Sequence, residues 1–158
     1  KNHIKMGTLG KAYGSYGAYI LASKEIICFL ENRAKPIIYS TALSTFDTAL
    51  GLHSLEYIVE NKEHLKTRIK QNLKVIKDIL DIDAKSLIIP IQIGDNKKVK
   101  EIQNYLKQEG YLVGAIRQPT VKSAIIRLIA KIDISSEKLK KVCNIIKDLK
   151  WKYSYYLF

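Results

Sequence analysis

Gly7-Thr8-Leu9-Gly10-Lys11-Ala12-Tyr13-Gly14-Ser15-Tyr16-Gly17-Ala18-Tyr19-Ile20 is the stretch on which the reading of this sequence turns. It sets one lysine among small residues and hydroxyls, ahead of an apolar run, Ala18 to Ala22, that reads as a buried strand. Glycine lacks a Cβ and accepts positive φ, so the backbone here can come close to a ligand. Desolvation on such a turn lowers an ammonium pKa and frees the amine as a nucleophile, which makes Lys11 a candidate Schiff-base former. A phosphate-binding P-loop is excluded. That motif needs Gly where Lys5 stands and Ser or Thr where Ala12 stands.

Further along come Ile37-Ile38-Tyr39-Ser40-Thr41-Ala42-Leu43, Ile93-Gly94-Asp95-Asn96 and Ala115-Ile116-Arg117-Gln118-Pro119-Thr120-Val121. With the lysine stretch, and in this order, they resemble the α-oxoamine synthases, pyridoxal-phosphate enzymes that join an amino acid to an acyl thioester and release carbon dioxide. The resemblance covers nearly the whole chain. It implies the C-terminal part of a fold-type I pyridoxal-phosphate transferase, mixing α/β and α+β architecture. A remnant of the large cofactor domain is expected over residues 1–50. A linking helix and a small C-terminal α+β domain are expected over 51–158. Family members are much longer, and their ring-stacking His and pyridine-facing Asp come from upstream segments that this chain does not contain. The chain alone is therefore expected to be inactive. The last two motifs are most similar to the biotin-pathway member, which implies condensation of L-alanine with a pimeloyl thioester, on coenzyme A or a carrier protein. Sister activities to weigh against it are glycine C-acetyltransferase and 5-aminolevulinate synthase. A non-catalytic dimerisation module is the alternative from another class.

A formal net charge of +12 raises nucleic acid as a partner. The lysines, however, are spread over amphipathic helices, and 23 Lys stand against 4 Arg, whereas phosphate and base readers lean on bidentate Arg. The basicity is read as a solvated lysine surface, without a nucleic-acid partner. No run of 18 apolar residues occurs, so no membrane is expected. Cys28 and Cys143 lie on apolar helix faces and are expected as buried free thiols, which suits the cytoplasm. His3, His53 and His64 have no ligand spacing, and no metal site is expected. At this length about 68–70% of the unfolded surface is typically buried, enough for a core.

Ser23 is read as the N-cap of a helix that Pro36 stops, with Ile37 to Tyr39 extended beyond it. Ser44 opens a long helical tract, bent or broken near Gly51 or Asn61. Leu87 to Ile93 reads as a strand, with Pro90 marking an edge or bulge. Asp95 caps a helix that Gly110 ends, Tyr111 to Ile116 and Ala124 to Ala130 are strands, and Ser135 caps the last helix. The aromatic ending Trp151 to Phe158 is expected to pack on its own domain or a partner subunit.

The candidate site residues follow. The resemblance makes Lys11 the cofactor lysine and general base, and Thr8 a phosphate contact. It makes Ser40 and Thr41 contacts to the neighbouring subunit's cofactor, which implies a homodimer. Arg127 stands in an apolar strand, where a charge needs a partner. It is read as a bidentate clamp on the substrate α-carboxylate, with an edge-strand arginine reaching water as the plainer reading. The link before its strand lacks the family's Gly-Thr pair, which leaves Arg117 as the second choice. Thr120 matches a substrate contact.

Overall fold

The structure, a computed structural model, describes residues 3–152. Its elements run β1 (Lys5–Thr8), β2 (Ala18–Leu21), α1 (Lys24–Arg33), α2 (Lys35–Ile38), α3 (Thr45–Glu60), α4 (Lys62–Leu80), β3 (Ile88–Gly94), α5 (Asn96–Gln108), β4 (Gly114–Ile116), β5 (Ala124–Ile129) and α6 (Ser136–Lys152). The aromatic ending lies outside the described residues, except for the backbone of Trp151 and Lys152 in α6. The chain divides into two units, Lys1–Lys62 and Glu63–Phe158. The boundary expected between residues 50 and 51 falls inside α3.

In the first unit β1 and β2 form an antiparallel ribbon, with Lys5 opposite Leu21 and Thr8 opposite Ala18. The expected strand is present as β2, but it is exposed rather than buried, Leu21 at 57%. Its partner β1 carries no apolar alternation, which is why the sequence does not announce it. Ser23 stands at the N-cap of α1 without capping the backbone; its hydroxyl bonds Glu25 and holds that carboxyl below its usual range. Pro36 does not leave an extended run behind it. It sits in the first turn of α2, where a missing N–H costs nothing, and Ile37 and Ile38 are helical. Ser44 caps α3 by accepting from the Asp47 N–H. That helix runs through Gly51 without a break, and the tract is interrupted at Asn61, the other expected place. Cys28, expected buried, is exposed.

The second unit holds the core. Strands β3, β5 and β4 pair antiparallel in that order, which makes β3 an edge, as Pro90 requires, and β5 the centre. Ala124, Ile126 and Leu128 of β5 point inward with Ile89 and Ile91 of β3. They join Ile76 of α4, Val99, Ile102 and Leu106 of α5, and Leu139, Val142, Cys143 and Ile146 of α6. Each of the Val, Leu and Ile side chains among them contributes roughly 1.5–3 kcal/mol by leaving water. Burial pushes the Cys143 thiol up to about 11. Strand β4 is shorter than the expected Tyr111–Ile116. Gly110, at φ 84°, closes α5, and the Tyr111 N–H is spent on the Leu106 carbonyl, so the chain is still capping a helix where a strand was expected. After β5, α4 holds the returning loop: Asn72 Nδ2 donates to the Lys131 carbonyl at 3.0 Å, and Arg68 Nη2 to those of Ile132 and Ile134 at 3.2 and 3.1 Å.

Asp95 caps α5 by accepting from the Lys98 and Lys97 N–H groups, the Lys98 bond being the main cause that holds its carboxyl below the ordinary range. A depressed carboxylate contributes stability above its unfolded pKa and loses it as pH falls through the folded one. Asp95→Ala should therefore lower the urea midpoint at pH 7 and lower it much less near pH 3. Urea titrations at the two pH values check this.

Candidate active site

In the first unit the candidate lysine stands on a loop running from β1 to β2. The Leu9 N–H donates to the Gly17 carbonyl at 2.8 Å and the Ser15 N–H to that of Leu9 at 3.0 Å, which pinches the loop shut. Within it the Gly14 N–H reaches the Lys11 carbonyl at 3.1 Å, and the Lys11 side chain stands exposed on the turn, not desolvated as its sequence context predicts. Gly17 has φ 119°, which an L side chain rarely adopts, and a Cβ there would come within 2.6 Å of Leu43. At Gly7 a Cβ would collide with the Tyr19 ring.

Beside the loop runs an open groove of about 820 Å³, walled by Thr8, Gly10, Gly17, Ser40, Thr41 and Leu43 among others. It gathers three of the sequence-read hydroxyls, those of Thr8, Ser40 and Thr41. Lys11 is not in its wall, though its neighbour Gly10 is. Among the described residues no side chain occupies these hydroxyls by hydrogen bonding, so they can donate to an oxyanion. Hydroxyls on a backbone of bare glycine suit the acceptor oxygens of a phosphate. On this observation each hydroxyl fits a phosphate oxygen of pyridoxal phosphate, Thr8 by itself and Ser40 with Thr41 as a pair.

Sequence reasoning missed what holds the loop. Ser15 Oγ donates to the Asp47 carbonyl at 2.6 Å, and Ser54 Oγ donates to the Tyr13 carbonyl at 2.8 Å. Between them Leu9 rests on Gly51, where a Cβ would lie 3.4 Å from its Cδ1. Positions 47, 51 and 54 share one face of α3, and the small residues Gly51 and Ser54, three apart, were the available signal.

The second unit carries Arg127 and Thr120. Arg127 is not on an edge: β5 is central, and Arg127 stands on its open face between Pro90 and Gly114, away from the core. Ile125 and Ile129 flank it on that face. Gly114 makes room for it, since a Cβ there would stand 3.3 Å from Arg127 Nε. Arg117 and Thr120 are exposed in the turns between β4 and β5. Two motifs distant in sequence meet there. The Gln118 N–H donates to Asn96 Oδ1 at 3.3 Å, and Gln118 Nε2 to the Lys122 carbonyl at 2.8 Å; the Gln118–Pro119 bond is cis.

A model of the family described as aminotransferase class I and II matches residues 1–146. An 8-amino-7-oxononanoate synthase of Helicobacter pylori is 39% identical over 145 residues, 92% of this chain and 39% of that protein. One from Methylocella silvestris is 32% identical over 149 residues, 92% of this chain and 42% of that protein. Among solved structures, 8-amino-7-oxononanoate synthase from Francisella tularensis is similar with a TM-score of 0.83 and 26% identity, over 96% of this chain and 46% of that one. Sphingomonas wittichii serine palmitoyltransferase, 16% identical, shares the fold with a TM-score of 0.80 over 96% of this chain and 40% of that one. This chain spans about two fifths of the length of these curated relatives. Among the described residues no helix is long and apolar enough to cross a membrane.

The close approach at Gly114 can be tested on the fold alone. Gly114→Ala should push the Arg127 guanidinium aside, while stability stays within about 1 kcal/mol, because the gain in backbone entropy offsets the tight contact. The Arg127 Nε–H resonance should move and the unfolding midpoint should barely change.

Proposed function

The chain belongs to the class I and II aminotransferase family and carries part of the fold-type I pyridoxal-phosphate transferase fold, and on that premise we propose that it serves an 8-amino-7-oxononanoate synthase. The reaction is condensation of L-alanine with a pimeloyl thioester and loss of carbon dioxide, carried out by a cytoplasmic homodimer. The observation that carries this reading is Lys11 exposed on a pinched glycine turn, with the hydroxyls of Thr8, Ser40 and Thr41 along the adjoining groove. The named relatives over nine tenths of the chain support the choice of reaction.

When bound, pyridoxal phosphate supplies a ring that accepts the electron pair left on the amino-acid Cα. Lys11 would hold the cofactor and, once released by substrate amine, remove and return the proton at Cα. Thr8 would donate to a phosphate oxygen, and Ser40 and Thr41 to the phosphate held by the partner subunit. Arg127 offers five donors in a planar fork, which suits a carboxylate held by two parallel bonds. Its exposed position on an otherwise apolar strand face leaves that fork available. Thr120, on the turn fixed by Asn96 and Gln118, would bond substrate through its hydroxyl.

Borohydride reduction of the complete polypeptide loaded with pyridoxal phosphate should fix the cofactor to Lys11, and Lys11→Ala should fold yet retain no covalent band. Peptide mapping reads the position; attachment at another lysine would refute the assignment.

Removing the clamp should act on the amino acid rather than on the cofactor. Arg127→Ala should cut kcat/KM for L-alanine by at least about 30-fold, the loss expected when a carboxylate is left without its paired charge. Cofactor affinity should hold, and Arg117→Ala should leave amino-acid use close to wild type. Steady-state kinetics of the two variants decide between the arginines.

A further inference from the structure

Resting on the reading of Lys11 as the cofactor lysine, we propose that Ser54, Ser15 and Gly51 are positioning residues that set where the Lys11 amine stands. Three of the loop's supports among the described residues lie on α3. Leu9, two residues before the lysine, rests on Gly51. Tyr13, two residues after it, gives its carbonyl to Ser54 Oγ at 2.8 Å, and Ser15 sends its hydroxyl to the Asp47 carbonyl at 2.6 Å. These bonds reach across 41 and 32 residues of sequence, so they are tertiary and not part of the turn itself.

The supports bracket Lys11 on both sides, whereas Lys11 itself touches solvent. The turn can therefore tilt or rise only if one of them moves. Gly51 is the buried position in α3, and Ser15 and Ser54 are half-buried, so the supports are shielded from water that would compete for their bonds. A helix is a stiff base, and a reacting group is held better by a rigid element than by its own loop. The geometric demand is steep, since a displacement of about 1 Å at a reacting group can cost about 10²-fold in rate. Gly51 sets the height at which the loop sits: methyl-sized contact at 3.4 Å is ordinary, but a longer side chain would meet Leu9 and lift the turn.

A purely structural role and a positioning role differ in what they leave unchanged. The test uses the complete polypeptide loaded with pyridoxal phosphate and compares wild type with Ser54→Ala, Ser54→Thr, Gly51→Ala and Gly51→Leu. Four quantities are read: the pH midpoint of the lysine-bound cofactor's visible band, cofactor affinity, kcat and KM for L-alanine, and the thermal midpoint. Ser54→Ala should move the band's midpoint by about half a pH unit or more. It should lower kcat about tenfold while KM and cofactor affinity stay within about threefold. Ser54→Thr, which keeps the hydroxyl, should restore both. Gly51→Ala should match wild type, and Gly51→Leu should shift the midpoint as Ser54→Ala does. If Ser54→Ala and Gly51→Leu lower only the thermal midpoint, leaving band midpoint and kcat at wild-type values, the proposal is overturned. The isosteric Ser54→Ala keeps the test decisive should Gly51→Leu fail to fold. Reduction of wild type onto a lysine other than Lys11 would instead remove the underlying assignment, an outcome visible before any variant is made.

Discussion

Strand β5 must satisfy opposite demands on its two faces, and the second unit is arranged around that requirement. Both its edges are paired, so its backbone polar groups are spent on β3 and β4. Side chains alternate, and Ala124, Ile126 and Leu128 enter the core while Ile125, Arg127 and Ile129 stand opposite. A one-residue slip would bury a guanidinium without a partner and expose the core set. Register is thereby fixed strongly, and with it the height at which Arg127 stands.

The neighbours of β5 then explain themselves. Pro90 faces Arg127 on an edge strand, where its missing N–H is harmless. Gly114 faces it on the other side, and any side chain there would crowd the guanidinium. The first unit solves a related problem with different means. A loop rich in glycine is conformationally free by composition. It acquires one shape here through two backbone bonds across its mouth and three supports on α3. Flexible residues permit the turn, and a rigid helix defines it.

Much of this was legible in advance for reasons that can be named. Asp95, Ser44 and Ser135 are caps, and a cap acts within three residues, so local sequence contains the whole interaction. Val99, Ile102 and Leu106 repeat at helical spacing because the core lies on one side of α5. Pro36 misled because the same residue that stops one helix is well suited to start another. Gly51 misled because helix propensity treats it as a weakness, whereas the packing of Leu9 gives it a use. Cys28 lies on an apolar helix face, yet nothing in the described first unit covers it.

The sequence by itself determined the chemistry on offer and the local signals. It supplied a lysine among glycines, hydroxyls at Thr8, Ser40 and Thr41, an arginine in an apolar strand, and the helix caps at Ser44, Asp95 and Ser135, because each rests on residue type or short-range spacing. Only the tertiary structure decided which of these share a place. It put Thr8 beside Ser40 and Thr41 along one groove, brought Asn96 to Gln118, and set Ser54 under Tyr13. Those pairings span from 22 to 41 residues, and no local pattern encodes a contact made by chain segments that distant. Their physical origin is the packing of whole elements, which places side chains together only after the elements themselves have formed.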